Sequence, residues 1–196
     1  MSELKERYPR TVDCKGRTIT LDRLKALDTA DAKQFTSNLT DMDLMFLSRD
    51  LREPKVIEAW NRSIESGDII SIAAWQDGRI IGTTAVVCDK LSWSPHVGEL
   101  RILVSPEARD IGLGRQLIQE SFLIGLYMGL EKLTVRMTLD QERAVSILED
   151  MGFKTEALLK DHTKDTQGRK HDLLMMSHDV EAGFAKLAVL GIEDAL

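Results

Sequence analysis

The chain has 196 residues, which is enough for one domain with a proper core and too few for two of ordinary size. Apolar residues make up 43% and charged residues 30%, as in ordinary soluble globular proteins. The formal net charge of −6 argues against general nucleic-acid binding, and no apolar run approaches the ~20 residues of a membrane span. The N-terminus is charged and unlike a signal peptide, so we expect a cytoplasmic protein.

The first half of the chain is predicted to hold one strand followed by three helices. Residues 1–16 are polar and form a predicted tail that ends in a turn, and residues 17–21 alternate as in a short edge strand. Helices are expected from Thr29, over about residues 41–51, and from Pro54 to near Ser66.

The second half alternates strands with helices. Asp77-Gly78 between two β-rich runs is a strong hairpin signal. The predicted strands are residues 69–75, 79–88, 96–104, 132–138, 155–162 and 170–180, and helices are predicted behind Gly112 and over about 140–151. This order predicts a mixed α+β domain over residues 17–180, with a helical tail over 181–196.

A glycine-bearing loop follows the strand at 96–104. Pro106 ends that strand, and the pattern Arg109-x-x-Gly112-x-Gly114 leads directly into a helix. Gly112 and Gly114 have no Cβ, so their backbone N–H groups are unobstructed, and the helix start adds the positive end of its dipole. This combination predicts a binding site for a diphosphate.

These residues resemble motif A of the GCN5-related N-acetyltransferase (GNAT) family, a strand ending in Val-x-Pro followed by Arg/Gln-x-x-Gly-x-Gly/Ala. A second stretch, Gln141-x-x-Ala144 with a later Gly152-Phe153, is similar to the family's motif B helix, which begins Asn-x-x-Ala and closes with Tyr-x-x-x-Gly-Phe. Leu148 stands where the tyrosine is usual. The resemblance covers residues 17–180 and implies the GNAT fold, a twisted, mostly antiparallel sheet of about seven strands flanked by helices.

The resemblance implies that acetyl-coenzyme A is the cosubstrate and that no metal is needed. Its diphosphate would lie on the backbone N–H groups of residues 110–115, with Arg109 and Arg115 as cationic partners. The pantetheine arm would pair with the backbone of residues 102–104, and an N–H near Leu103 or Val104 would stabilise the developing oxyanion. The expected coenzyme-binding residues are Ile102, Leu103, Val104, Arg109, Asp110, Ile111, Gly112, Leu113, Gly114, Arg115 and Gln141.

Glu99 is the candidate for the base that deprotonates the acceptor amine, since family members often use a carboxylate on this strand. The alternative is that Glu99 pairs with a neighbouring arginine at the sheet surface. His96 is a second catalytic candidate, and its alternative is a structural role. Strand parity puts His96 and Glu99 on opposite faces unless a bulge forms at Gly98.

Without the tyrosine, the thiolate must leave unaided or the protein is not a catalyst. The leading function is transfer of acetyl to a primary amine of a small molecule or peptide; the alternative is a non-catalytic sensor that binds acyl-coenzyme A. A Rossmann dinucleotide site is disfavoured because the loop lacks Gly-x-Gly-x-x-Gly. The tail from Glu181 could cap the sheet or contact a second subunit of a homodimer.

Three further groups have a chemical and a structural interpretation. Apolar residues of the early helices are expected to be core, although Met45, Phe46 and Trp60 could instead wall the acceptor pocket. His162, His171 and Asp172 could bind a metal, but a solvated charge cluster fits their spacing better. Cys14 and Cys88 have no zinc or disulfide spacing, and Cys88 is expected to pack in the core.

Overall fold

A single open sheet of eight strands organises the computed structural model, which describes residues 4, 6–45, 47 and 49–189. The spatial order is β1-β2-β3-β4-β5-β6-β8-β7, and each neighbouring pair is antiparallel except β5 with β6. The strands are β1 (Arg10–Cys14), β2 (Arg17–Arg23), β3 (Ile69–Gln76), β4 (Arg79–Val87), β5 (Val97–Val104), β6 (Lys132–Thr138), β7 (Lys154–Lys164) and β8 (Lys170–Asp179). The predicted mixed, mostly antiparallel fold is confirmed, with one strand more than expected.

Six α-helices connect these strands within the described residues. They are α1 (Thr29–Thr36), α2 (Asp41–Leu44), α3 (Pro54–Ser66), α4 (Leu113–Tyr127), α5 (Glu142–Asp150) and α6 (Val180–Val189), with a 3-10 turn at Pro106–Ala108. Pro54 starts α3, and Gly67 ends it in the left-handed conformation at φ 74°. The helix expected over about 41–51 is only four residues long; its start is defined by a capping box between Thr40 and Asp43. None of these helices is long and apolar enough to span a membrane.

The sheet carries a hydrophobic layer on each face. Alternate residues of β3 point to opposite layers, with Ile70 and Ile72 in one and Ile69 and Ala73 in the other. Helices α4 and α5 cover the first layer, and α1 and α3 cover the second. Trp60 is buried in the second layer, which supports the core interpretation; Phe46 lies outside the described residues.

The hairpin of β1 and β2 is the strand pair that the sequence analysis did not anticipate. The two strands are joined by Lys15 and Gly16, both in the left-handed region at φ 51° and 80°, between the paired residues Cys14 and Arg17. In the strand before this turn, only Val12 and Cys14 are apolar, so the period-two signal is weak. β1 is therefore stabilised as a strand by its pairing with β2 and not by its own sequence pattern.

Strands β5 and β6 diverge, and this divergence positions the candidate site. Their parallel pairing runs from Val97 with Lys132 to Glu99 with Thr134 and stops there. β5 continues to Val104 paired only with β4, while β6 continues to Thr138 paired with β8. A gap therefore opens between the two strands beyond Glu99.

Candidate functional site

The loop before α4 presents free backbone donors. Gly112 occupies the N-cap of α4 at φ 92°, and no described side chain caps the first turn of this helix. The first N–H groups of a helix have no intrahelical acceptor, so those of α4 are available to a ligand. At Gly112 and Gly114 a Cβ would meet no atom within 4 Å, so both glycines face open space.

The backbone of β5 offers further hydrogen-bonding groups in the gap. Ser105 N–H donates to the carbonyl of Ile81 over 2.9 Å, on the β4 side. Since backbone groups alternate sides along a strand, Leu103 also faces β4, whereas Ile102 and Val104 direct their N–H and C=O groups into the gap. This alternation favours Val104 over Leu103 as an oxyanion donor.

A cavity of about 820 Å³ joins the loop to the gap. It lies between α4 and α5, and the short helix α2 reaches it from the other side. Its lining residues are Lys15, Met42, Asp43, Ile102, Leu103, Val104, Ala108, Arg109, Asp110, Gly112, Gly114, Arg115, Ile118, Asp140, Gln141, Glu142, Arg143, Ala144, Ile147 and Leu148. Of the predicted coenzyme-binding residues, the structure thus brings together all except Ile111 and Leu113.

The arginines that line this cavity form ion pairs with aspartates. Arg109 lies 2.7 Å from Asp43, and Arg143 lies 2.6 Å from Asp110. Arg115 pairs with Asp150 at 2.5 Å, on the side of α5. The pairs of Arg115 and Arg143 are exposed, and that of Arg109 is partly exposed, with Asp43 at 19%. Ion pairs at the surface contribute only about 0–1 kcal/mol, so an anionic ligand can exchange them.

Gln141 links the end of β6 to α2. Its side-chain oxygen accepts a hydrogen bond from Thr138 N–H over 3.1 Å, and its amide nitrogen donates to the carbonyl of Met42 over 2.8 Å. Both groups of the amide are therefore used within the protein. Gln141 lines the cavity, but its observed contacts are those of a residue that holds α2 in place.

Glu99 sits between two arginines. Arg101 approaches one carboxylate oxygen at 3.0 Å, and Arg136 approaches the other at 2.5 Å. Glu99 does not belong to the cavity lining. This is the ion-paired arrangement given above as the alternative to a catalytic role, and the catalytic role stays a prediction.

No bulge forms at Gly98, the position where one would have turned His96 and Glu99 to the same face of the sheet. β5 pairs in unbroken register with both neighbours near this residue, and His96 lies before the strand with an exposed side chain. A Cβ on Gly98 would lie 2.5 Å from Leu130 and 2.8 Å from Val86. Glycine is thus needed here for close packing, and neither His96 nor Glu99 belongs to the cavity lining.

An Asp-His-Asp cluster beside the cavity was not predicted. The two ring nitrogens of His171 lie 3.2 Å from carboxylate oxygens of Asp140 and Asp165, and Asp140 lines the cavity. The hydrogen bond to Asp165 has the largest effect and raises the pKa of His171; burial, the second largest effect, opposes it, and the hydrogen bond to Asp140 adds to the rise. Burial alone would raise the pKa of Asp165, but hydrogen bonds from Arg169 and His171 outweigh it and lower this pKa.

His171 and Asp172 do not converge on a common ligand. Asp172 accepts hydrogen bonds from Lys160 over 2.6 Å and from Asp161 N–H over 3.0 Å, on the other side of β8. No local sequence pattern indicates the contacts of His171, because Asp165 lies six residues before it and Asp140 lies 31 residues before it. His171 and Asp165 are 15% and 2% exposed, so the structure places them in a largely buried contact rather than in the solvated charge cluster expected from the sequence.

Neither tyrosine replaces the one missing from the second motif. Leu148 is buried and lines the cavity. The Tyr8 hydroxyl donates to buried Glu120, and Tyr127 lies at the far end of α4. The cavity lining therefore contains no phenol.

Known proteins match this chain in sequence over its centre and in fold over most of its length. Residues 68–155 match the family model of the acetyltransferase (GNAT) domain. The spermidine N-acetyltransferase of Vibrio cholerae, solved with CoA and spermine, has a TM-score of 0.67 at 20% identity, covering 84% of this chain and 97% of its own. A phosphinothricin acetyltransferase of Sinorhizobium meliloti, solved with AcCoA, has a TM-score of 0.65 at 20% identity, covering 82% and 88%.

A ribosomal-protein-alanine N-acetyltransferase of Brucella melitensis is equally similar, with a TM-score of 0.65 at 20% identity and coverage of 79% of this chain and 97% of its own. No curated protein sequence matches the chain significantly. At these identities the solved structures establish the fold. The family match over residues 68–155 includes the glycine loop and most of the cavity lining.

Proposed function

On the premise that residues 68–155 are a GNAT acetyltransferase domain, we propose that this chain is an N-acyltransferase. It transfers an acetyl group from acetyl-coenzyme A to a primary amine. The uncapped start of α4 opens into a cavity at the point where β5 and β6 diverge, and this juxtaposition carries the proposal. The start of α4 offers hydrogen-bond donors to a phosphate, the backbone of β5 offers them to the pantetheine arm, and both lie in one continuous cavity.

The residues present fit the nucleotide end of the carrier. The start of α4 has no side-chain cap, a Cβ at Gly112 or Gly114 would face open space, and the helix dipole favours an anion there. Arg109 and Arg115 supply positive charge once their surface ion pairs exchange. Ile102 and Val104 offer backbone groups to the pantetheine amides.

The bound carrier supplies an acyl thioester, whose carbonyl carbon is attacked by the amine while the bond to sulfur breaks. Negative charge develops on the carbonyl oxygen during the attack, and the N–H of Val104 is placed to stabilise it. The proton lost by the amine passes to a base, for which Glu99 is the predicted residue. To act, Glu99 must accept that proton while Arg101 and Arg136 hold its two oxygens.

The departing thiolate leaves without a tyrosine. A thiol has an ordinary pKa of about 8.5, so its thiolate is a tolerable leaving group near neutral pH. Leu148 closes this part of the cavity against water rather than donating a proton. Turnover is accordingly expected to rise with pH as the amine loses its proton.

Two measurements on the purified protein test the function. Isothermal titration calorimetry should show acetyl-coenzyme A binding, and a thiol-release assay should show turnover with one member of an amine panel. The panel starts with polyamines, since a structurally similar protein is a spermidine N-acetyltransferase, and continues with amino acids and peptide N-termini. A wild-type protein that binds no acetyl-coenzyme A would overturn the proposal.

Gly114→Leu should weaken coenzyme binding strongly without unfolding the protein. The added side chain enters the open space over the first turn of α4, where no protein atom lies within 4 Å of the new Cβ. We expect acetyl-coenzyme A affinity to fall at least about tenfold because the diphosphate loses its place. Gln116→Leu, on the same helix but outside the cavity lining, is the matched control and should bind as the wild type.

A sensor function is the second candidate, and Leu148 at the tyrosine position favours it. A sensor would bind acetyl-coenzyme A as tightly as an enzyme and release no thiol with any amine of the panel. Acetyl-coenzyme A binding with thiol release would support the enzyme, and binding without thiol release would support the sensor.

A further inference from the structure

Lys15 reaches the coenzyme cavity from outside both sequence motifs. It sits in the turn between β1 and β2, its side chain is exposed, and it belongs to the cavity lining with Arg109 and Gly112. In sequence it is more than ninety residues from the glycine loop. The hairpin that brings it there is the one the local sequence pattern did not indicate.

The turn is fastened to the segment that leads into the glycine loop. Arg17, directly after the turn, donates a hydrogen bond from Nη1 to the carbonyl of Glu107 over 2.8 Å. The same guanidinium bonds to the side chain of Gln76 at the end of β3. Lys15 is therefore held beside the 3-10 turn at Pro106–Ala108, one turn of chain before Arg109.

Lys15 differs in its charge environment from the other cations of the cavity. Four cationic side chains line it: Lys15, Arg109, Arg115 and Arg143. The three arginines face Asp43, Asp150 and Asp110, respectively. Among the described residues, no acidic side chain lies within ion-pair distance of Lys15. Within the described part of the chain, Lys15 is thus the cation of the lining that an incoming polyanion can approach without displacing a carboxylate.

We propose that Lys15 binds a phosphate of the carrier's nucleotide end, an inference that rests on the proposed function. The compact, hydrated ammonium of lysine suits an exposed phosphate, to which it offers three donors. The carrier has two such groups, the diphosphate and the phosphate on the ribose 3′ position. Lys15 thereby adds affinity that does not come from the glycine loop.

The backbone conformation of this turn does not require a lysine at its first position. A two-residue turn with both φ angles positive favours Asn or Gly at its first position, whereas Lys15 holds φ 51° with a long side chain. Lys15→Asn therefore keeps or improves the hairpin while removing the charge. Lys15→Arg keeps the charge in the same backbone conformation.

Calorimetric titration with coenzyme A at low ionic strength, about 50 mM salt, tests the inference. We expect Lys15→Asn to lose about five- to tenfold in affinity and Lys15→Arg to bind close to wild type. Lys55→Gln removes an exposed lysine from α3, outside the cavity lining, and should have no effect. Thermal melting of each variant checks that the hairpin is intact.

Titration with 3′-dephospho-coenzyme A then identifies the phosphate. If the difference between wild type and Lys15→Asn disappears with this ligand, the 3′-phosphate is the partner; if it persists, the diphosphate is. Wild-type affinity of Lys15→Asn for coenzyme A overturns the inference, and so does an equal loss in Lys15→Arg. Failure of the proposed function is distinct, because the wild-type protein itself would then bind no coenzyme A.

Discussion

His171 is a titratable residue held on both sides by carboxylates. Asp140 and Asp165 each lie 3.2 Å from one of its ring nitrogens, and its side chain is only 15% exposed. Its pKa is raised, chiefly by the hydrogen bond to Asp165. A raised pKa in the folded state stabilises the fold below the unfolded value of about 6.5, and the gain is lost as pH rises through the folded value.

His171→Gln should therefore cost more stability in mild acid than in mild base. We expect the difference in unfolding free energy between wild type and variant to be larger at about pH 5.5 than at about pH 8.5. Denaturant melts at the two values measure it. Asp165, whose pKa is lowered, is ionised at both, so it does not contribute to the change. A difference that stays constant or grows with pH would contradict the imidazolium interpretation.

Helix α2 is fixed at the cavity by contacts from three separate elements. Asp43 pairs with Arg109 of the glycine loop, Gln141 donates to the carbonyl of Met42, and Thr166 of the β7–β8 turn donates to Asp41. The first of these contacts uses the arginine that we propose as a cationic partner of the carrier's diphosphate. On that proposal, coenzyme binding and the anchoring of α2 compete for Arg109.

Asp43→Asn should strengthen coenzyme binding. The asparagine oxygen can still accept the capping hydrogen bond from Thr40 N–H, so α2 keeps its start, while the charge that competes for Arg109 is gone. We expect about a two- to fivefold gain in acetyl-coenzyme A affinity, in line with the small worth of an exposed ion pair. Asp41→Asn in the same helix is the control, since its partners Arg52 and Thr166 lie outside the cavity. Weaker binding by Asp43→Asn would argue against competition.

How far the elements could be predicted depends on whether their signals are local. Pro54 and Gly67 mark the ends of α3 correctly because a proline start and a left-handed glycine act within one turn of chain. Gly98 is ambiguous in the sequence, since a glycine in a strand indicates either a bulge or close packing, and only its contacts with Leu130 and Val86 decide between the two.

The candidate site was predictable to a similar extent. The glycine loop is contiguous in sequence, and the cavity forms around it as the motif implied. The partner of Arg109 is 66 residues away and that of His171 is 31 residues away, so tertiary contact alone reveals them. The position of Lys15 at the cavity depends on β1, and the alternation of apolar residues in β1 is too weak to predict that strand.

The segment before β2 is joined to the rest of the molecule through a buried acid. Glu120 in α4 is fully buried, and it accepts hydrogen bonds from Tyr8 and Arg10 and from Arg7 over 3.3 Å. Burial, followed by the charge of Glu120, raises the pKa of Tyr8, so this phenol stays protonated as a donor. These hydrogen bonds to Glu120 hold the chain before and after the Tyr8–Pro9 bond against the first hydrophobic layer, to which Tyr8 belongs.

Glu120→Ala should destabilise the whole fold. Without the carboxylate, two arginines and a phenol lose their common acceptor in a buried setting, which costs about 3–5 kcal/mol of unfolding free energy. Urea denaturation measures the loss, and Glu149→Ala on the exposed side of α5 is the control, with an expected change within about 0.5 kcal/mol. A cost below about 1 kcal/mol would mean that the N-terminal segment contributes little to folding.

The brief parallel contact between β5 and β6 has a mechanical consequence. Long antiparallel ladders hold β1–β5 together and β6–β8 together, whereas the strand pairing between the two groups is only three residue pairs long within the described part of the chain. Helix α4 packs against strands of both groups, with Leu117 and Phe122 fully buried beneath it. Because α4 bridges the two groups, we expect the volume of its buried side chains to affect the width of the gap between β5 and β6. Substitutions of Leu117 and Phe122 are therefore expected to change how a thioester fits there, although both residues lie outside the cavity lining.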